Sequence, residues 1–127
     1  MKKVLSFVLV LAMILGSFSM VFAATFSDVE ADDDHEEAIN VLSSLGVVSG
    51  YTDGTFKPEK VVTRAEMAAF IINALFGEDK QITQRATNFS DVTAAHWASG
   101  FVDYANTLDI IAGYTDGTFK PNQTVTY

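Results

Sequence analysis

Four stretches of this chain carry apolar residues in a regular pattern, and three of them repeat with the period of an α-helix. Ala38, Val41, Leu42 and Leu45 stand at i, i+3, i+4 and i+7, and so do Phe101, Tyr104, Ala105 and Leu108. Residues so spaced share one helix face, which predicts helices over 34–45 and 97–108, each burying that face. Met67, Phe70, Ile71, Ala74 and Leu75 define a third helix. Its start is marked by Thr63 and Glu66, a pair whose side chains can each bond the other's backbone amide, and Gly77 supplies its stop. The fourth stretch, Val4 to Leu15, is apolar or small throughout rather than periodic. From Glu78 to Asn88 the chain is polar and without period, which predicts a linker between units.

The same pattern occurs twice. Phe26-Ser27-Asp28-Val29 returns as Phe89-Ser90-Asp91-Val92, and Gly50-Tyr51-Thr52-Asp53-Gly54-Thr55-Phe56-Lys57-Pro58 returns as Gly113 through Pro121. Both offsets are 63 residues, so 26–64 aligns with 89–127 without a gap. Self-similarity at a fixed period marks stacked supersecondary units. In the second segment the Asp-Gly pair turns the chain and the proline forbids a continuing helix, so it predicts an ordered loop. Tyr51, Phe56, Tyr114 and Phe119 are its expected pegs against the core. Each unit is then helix, loop, helix. One such pair cannot cover its own apolar faces, so the expected architecture is mainly α, with helix-loop-helix units stacked into a helical bundle. The second copy reaches only Val125-Thr126-Tyr127, short of a second helix, so the face of Phe101, Tyr104 and Leu108 is expected to stay partly uncovered.

The N-terminus changes where this fold begins. Lys2 and Lys3 precede the apolar run, and Val21, Phe22 and Ala23 close it with a cleavable pattern. That is the layout of a secretory signal over residues 1–23; a retained membrane anchor is the alternative, weakened by the short apolar stretch and the lack of a positive cluster after it. With Lys2 and Lys3 gone, 6 basic residues face 16 acidic ones, a net charge of −10 on 104 residues. An acidic surface of this kind repels nucleic acid, which is excluded as a partner. With no cysteine, an exported fold must hold by packing alone.

Phe-Ser-Asp-Val, His96-Trp97-Ala98, Gly-Tyr-x-Asp-Gly-Thr-Phe-x-Pro and Thr63-Arg64-Ala65-Glu66, in that order and largely twice over, resemble the S-layer homology family. The resemblance spans Phe26 to Tyr127 and implies a signal peptide at 1–23, a first repeat at 24–77, a linker at 78–88 and a second repeat at 89–127 cut before its second helix. It implies a spindle of three repeats, so this chain would hold an incomplete one, partnered by further repeats of the same protein. Grooves between such repeats bind secondary cell-wall polysaccharide, often through a pyruvate ketal, at the cell wall or S-layer of a bacterium. The module itself is not an enzyme and needs no cofactor or metal. The larger protein would be a secreted hydrolase or a self-assembling S-layer protein for which this region is the tether. Two positions depart from the pattern: Asp34 stands where the second copy has Trp97, and Tyr127 stands where the first has Arg64.

Four residues are carried over as candidate ligand contacts: Arg64, Trp97, Gly50 and Gly113. A guanidinium can meet the carboxylate of a pyruvate ketal with two parallel charged hydrogen bonds, and free amides of the helix start would lie beside it. The other reading of Arg64 is an ion pair to the neighbouring unit. Trp97 is either a sugar-stacking platform or a core peg, and the two glycines either admit a ligand to the backbone or serve a turn. Asp28 and Asp91 suit Asx turns or helix caps. The acidic run from Asp32 to Glu37 lacks calcium-loop spacing and suits a helix N-terminus, while His35 and His96 suit surface or capping positions.

Overall fold

A computed structural model describes residues 26–77 and 81–126; the expected signal segment lies outside them. The chain is mainly helical: α1 is Glu36–Ser44, α2 is Arg64–Phe76 and α3 is Ser99–Thr107. The two shorter helices begin two residues later than their apolar pattern predicts, for one reason in both copies. A side chain accepts a hydrogen bond from the backbone amide two residues on, turning the chain just before the helix. In the first copy Asp33 Oδ1 takes the amide of His35 at 2.8 Å, and in the second His96 Nδ1 takes that of Ala98 at 3.1 Å. Glu36 and Glu37 then fill the first turn of α1, where the helix dipole favours them.

The expected capping box is formed. Thr63 accepts from the amide of Glu66 at 3.3 Å, and the Glu66 carboxylate accepts from the amide of Thr63 at 2.8 Å. At the other end Gly77 follows α2 and donates its amide to the Asn73 carbonyl.

The units stack as the repeat implies, α2 of the first against α3 of the second. The faces that meet are rotated from those expected. On α2 the buried residues are Ala65, Ala68, Ala69 and Ile72, whereas Leu75 is exposed. On α3 they are Ser99, Gly100, Val102 and Ala105, with Ala98 just before the helix, whereas Leu108 is exposed and Phe101 and Tyr104 are half-buried. Small residues bring the two backbones together, and the larger side chains flank the seam. Ala65, Ala68, Ile72, Val92, Ala98, Val102, Ala105 and Phe119 form one core. The expected inward face of α1 is not buried: Ala38, Val41, Leu42 and Leu45 are exposed and Ile39 alone turns inward. Residues 81–88 form a strap rather than a loose connection. Ile82 packs on the core, and the amide of Arg85 bonds the buried Ser99 hydroxyl at 3.2 Å.

Candidate functional site in the crease between the repeats

Each loop is tied into its own repeat by an aspartate. Asp28 accepts from the amides of Phe56 and Lys57, both at 2.7 Å, and Asp91 accepts from those of Phe119 and Lys120, both at 2.8 Å. These carboxylates act across 28 and 29 residues, so they are neither local Asx turns nor helix caps. The Phe56 amide is the main reason that the Asp28 carboxyl is held below its ordinary range. The clamp sets Phe26 against Phe56, with ring centroids 5.3 Å apart, and Phe89 against Phe119 at 5.4 Å.

The candidate glycines belong to the same packing. A Cβ on Gly50 would lie 2.3 Å from the Phe26 ring, and one on Gly113 2.1 Å from the Phe89 ring. That side of each backbone is occupied by the repeat's own phenylalanine. Gly50 also has φ of 65°, the left-handed conformation that a turn reading predicts, while Gly113 does not share it.

Arg64 latches the second repeat to the first. Its Nε donates to the Phe119 carbonyl and its Nη2 to the Ala112 carbonyl, each at 2.8 Å, and its guanidinium lies over the rings of Phe119 and Tyr114. The expected alternative, an ion pair to the neighbouring unit, is replaced among the described residues by carbonyls and ring faces, which carry no negative charge to neutralise it. The free amides expected beside it are also taken. Arg64 donates its amide to Gln123 O at 2.9 Å and Ala65 to Pro121 O at 3.0 Å, and Val125 returns a bond to Val62 O at 2.8 Å. With the capping box, all four amides of the α2 start are satisfied from protein. Among the described residues two of the five guanidinium N–H donors are used.

A groove of about 660 Å³ opens between the first loop, α2 and the start of α3. Trp97 and Phe101 enter it from the second repeat, and Gly50, Tyr51, Lys57 and Lys60 from the first. Trp97 is 53% exposed, which removes the core-peg reading, and stacks on His96 at 5.9 Å. Tyr51 is likewise not a core peg: Lys57 and Lys60 Nζ lie 4.4 and 4.7 Å from its ring centre. Its hydroxyl accepts from Lys60 at 2.6 Å and donates to Glu66 at 2.9 Å. Partial burial pushes the Glu66 carboxyl up, but hydrogen bonds from Lys60, Thr63 and Tyr51 outweigh it and hold the group at about 2. Lys60 is raised by its own bonds to Glu66 and to the Tyr51 hydroxyl. The groove therefore carries fixed charge beside an aromatic platform. Arg64 and Gly113 do not line it, so the structure brings together Gly50 and Trp97 of the four candidates, with Arg64 on the latch and Gly113 against Phe89 of its own repeat.

The description S-layer homology domain matches residues 25–68 and 88–127. The chain belongs to the S-layer homology family. Over 132 residues that cover all of this chain, it is 36% identical to the middle cell wall protein of Brevibacillus brevis. It is 37% identical over 130 residues to a surface layer protein of Brevibacillus choshinensis. It spans 12% of the length of each. A cellulosome-anchoring protein of Acetivibrio thermocellus is 38% identical over 62% of the chain and 18% of its own length.

Within this S-layer homology chain, the groove lysines and the Tyr51–Glu66 pair escaped the sequence reading. Lys57 recurs as Lys120 at the repeat offset, as Asp53 does as Asp116. Both pairs form the same i, i+4 bridge, at 2.9 and 3.8 Å. A charge repeated with its partner at a loop rim was the signal available.

Proposed function

We propose that this chain is a non-catalytic anchoring module whose crease takes up an acidic secondary cell-wall polysaccharide, with a pyruvate ketal as the acidic group. The observation that carries the reading is the half-exposed Trp97 sharing one groove with Lys57 and Lys60. An indole face packs the C–H face of a sugar, and neighbouring cations attract its carboxylate. Arg64 stands outside this groove on the latch, where it holds the second loop with two donors and would offer the rest to a polymer that extends beyond the groove. Gly50 and Gly113 act by letting Phe26 and Phe89 seat the two loops.

On this reading residues 1–23 direct export, 24–77 and 89–127 are the two repeats, and 78–88 joins them. The chain resides at the cell wall or S-layer of a bacterium as the tether of a larger protein, hydrolytic or self-assembling, whose further repeats complete the spindle. The exposed face of α1, equivalent to the covered one of α3, is where a further repeat would pack.

Purified cell walls test the reading. Trp97→Ala should weaken retention about tenfold at unchanged helix content, the loss expected for one buried aromatic contact. Walls stripped of polymer should retain neither protein. Equal retention of wild type on intact and stripped walls would end the proposal, and walls lacking only pyruvate decide the acidic group.

A further inference from the structure

The two repeats turn into their first helices by the same bond, made with different chemistry. Asp33 and His96 are equivalent positions, as are the residues whose amides they receive, His35 and Ala98. A carboxylate accepts throughout the neutral range. An imidazole accepts at Nδ1 only while that nitrogen is unprotonated, and histidine is the side chain that ordinarily changes charge between pH 5 and 8. His96 also stacks on Trp97, at 5.9 Å and 28° between planes. The first repeat has neither feature, since Asp34 stands in the place of Trp97.

Protonating His96 would disturb this turn at two points, opposed by the cation–π attraction that an imidazolium stacked on Trp97 would gain. The amide of Ala98, a residue with no exposed surface, would face a donor in place of an acceptor. A positive charge would also be placed at the start of α3, where the helix dipole opposes it. No charged group pairs with the imidazole among the described residues. On the strap, Arg85 is directed to Asp103 and Tyr104. Asp91 is held by the second loop's amides. On the far wall of the groove, Lys60 is paired with Glu66 and Lys57 with Asp53.

We infer that His96 is a positioning residue for Trp97 that works only when neutral, so that mild acidification loosens the indole and releases the polymer. The release rests on the proposal that Trp97 contacts the polysaccharide; the positioning does not. Trp97 is the sole tryptophan, so intrinsic fluorescence of the whole chain reports it without any ligand. Emission should change on acidification in wild type and in His35→Gln. It should stay flat in His96→Asn, whose side-chain oxygen still accepts but does not titrate. Affinity for purified walls should fall about tenfold from the alkaline to the acidic end in wild type, and not in His96→Asn. If that variant loses helix content, His96→Asp, which copies Asp33, replaces it.

Emission that is flat in wild type, or that changes equally in His96→Asn, overturns the positioning role. Tighter wall binding on acidification overturns the release, because the imidazolium would then be attracting the acidic sugar. Wall binding unaffected by Trp97→Ala removes the polymer contact itself, while the fluorescence comparison still judges His96.

Discussion

The first and second repeats carry the same motifs at the same spacing, yet their first helices end in different surroundings. Val102 and Ala105 of α3 are fully buried against α2. At the equivalent positions of α1, Ile39 is buried but Leu42 is 40% exposed, beside Val41 at 50% and Leu45 at 58%. Local sequence does not account for this, since α1 is at least as apolar on that face. What differs is the neighbour: α3 has the second helix of the preceding repeat to pack on, and no described helix does that for α1. The cooperative unit is therefore offset from the sequence repeat. It joins the latter half of the first repeat to nearly all of the second, and the seam is sealed by Arg64 and the amides of α2.

The widest gap between the two copies should appear on truncating the equivalent inward residues. Val102→Ala should lower the global unfolding free energy by about 3 kcal/mol, from lost burial and the cavity left in a closed core. Ile39→Ala removes a larger side chain and should nevertheless leave the main transition nearly unmoved. Its effect should be faster amide exchange within α1 alone. Denaturant melts with exchange measurements check both, and a larger global loss for Ile39→Ala would show that the cooperative unit includes α1.

The latch comes next. Arg64→Ala should cost about 2 kcal/mol through two lost bonds from a charged donor, and Arg64→Lys should recover little, because an ammonium cannot reach two carbonyls with a planar fork. The loss should appear in the global transition, because the seam lies inside the cooperative unit, and denaturant or thermal melts check it.

How much of this was legible depended on whether the information was local. The 63-residue repeat, the capping box at Thr63 and Glu66 and the stop at Gly77 are short-range features, and the structure contains them as expected. Helical periodicity found each helix but not its inward face. Four bulky residues on α2, Met67, Phe70, Ile71 and Leu75, outvote Ala65 and Ala68 on a hydropathy count, although close helix approach favours the small ones. Phe101 and Tyr104 mislead in the same way on α3. The chemistry of Arg64 and its place at a helix start point to a ligand contact, whereas the structure sets it on the latch between the repeats, outside the groove that Trp97 lines. Its carbonyl partners, Ala112 and Phe119, are 48 and 55 residues distant, so no local pattern announced them. The aspartate clamps failed for the same reason, being long-range bonds from a residue type that usually bonds nearby.

The smallest effect separates the two loops by their response to acid. Glu66 ties the first loop to α2 through Tyr51 and Lys60, whereas the hydroxyl of Tyr114 meets Gln123, which does not titrate. The folded Glu66 carboxyl is held at about 2, below its usual value. Its contribution is thus fully present above the usual carboxylate value and is lost as pH falls from about 5 to about 2. Glu66→Gln should flatten that part of the stability profile, and Thr63→Ala should cost about 1 kcal/mol at neutral pH as the cap is lost. Acid should then free the first loop before the second, which amide exchange followed from about pH 5 down to about 2 would resolve residue by residue. Simultaneous release of both loops would mean that the carboxylate is not what distinguishes them.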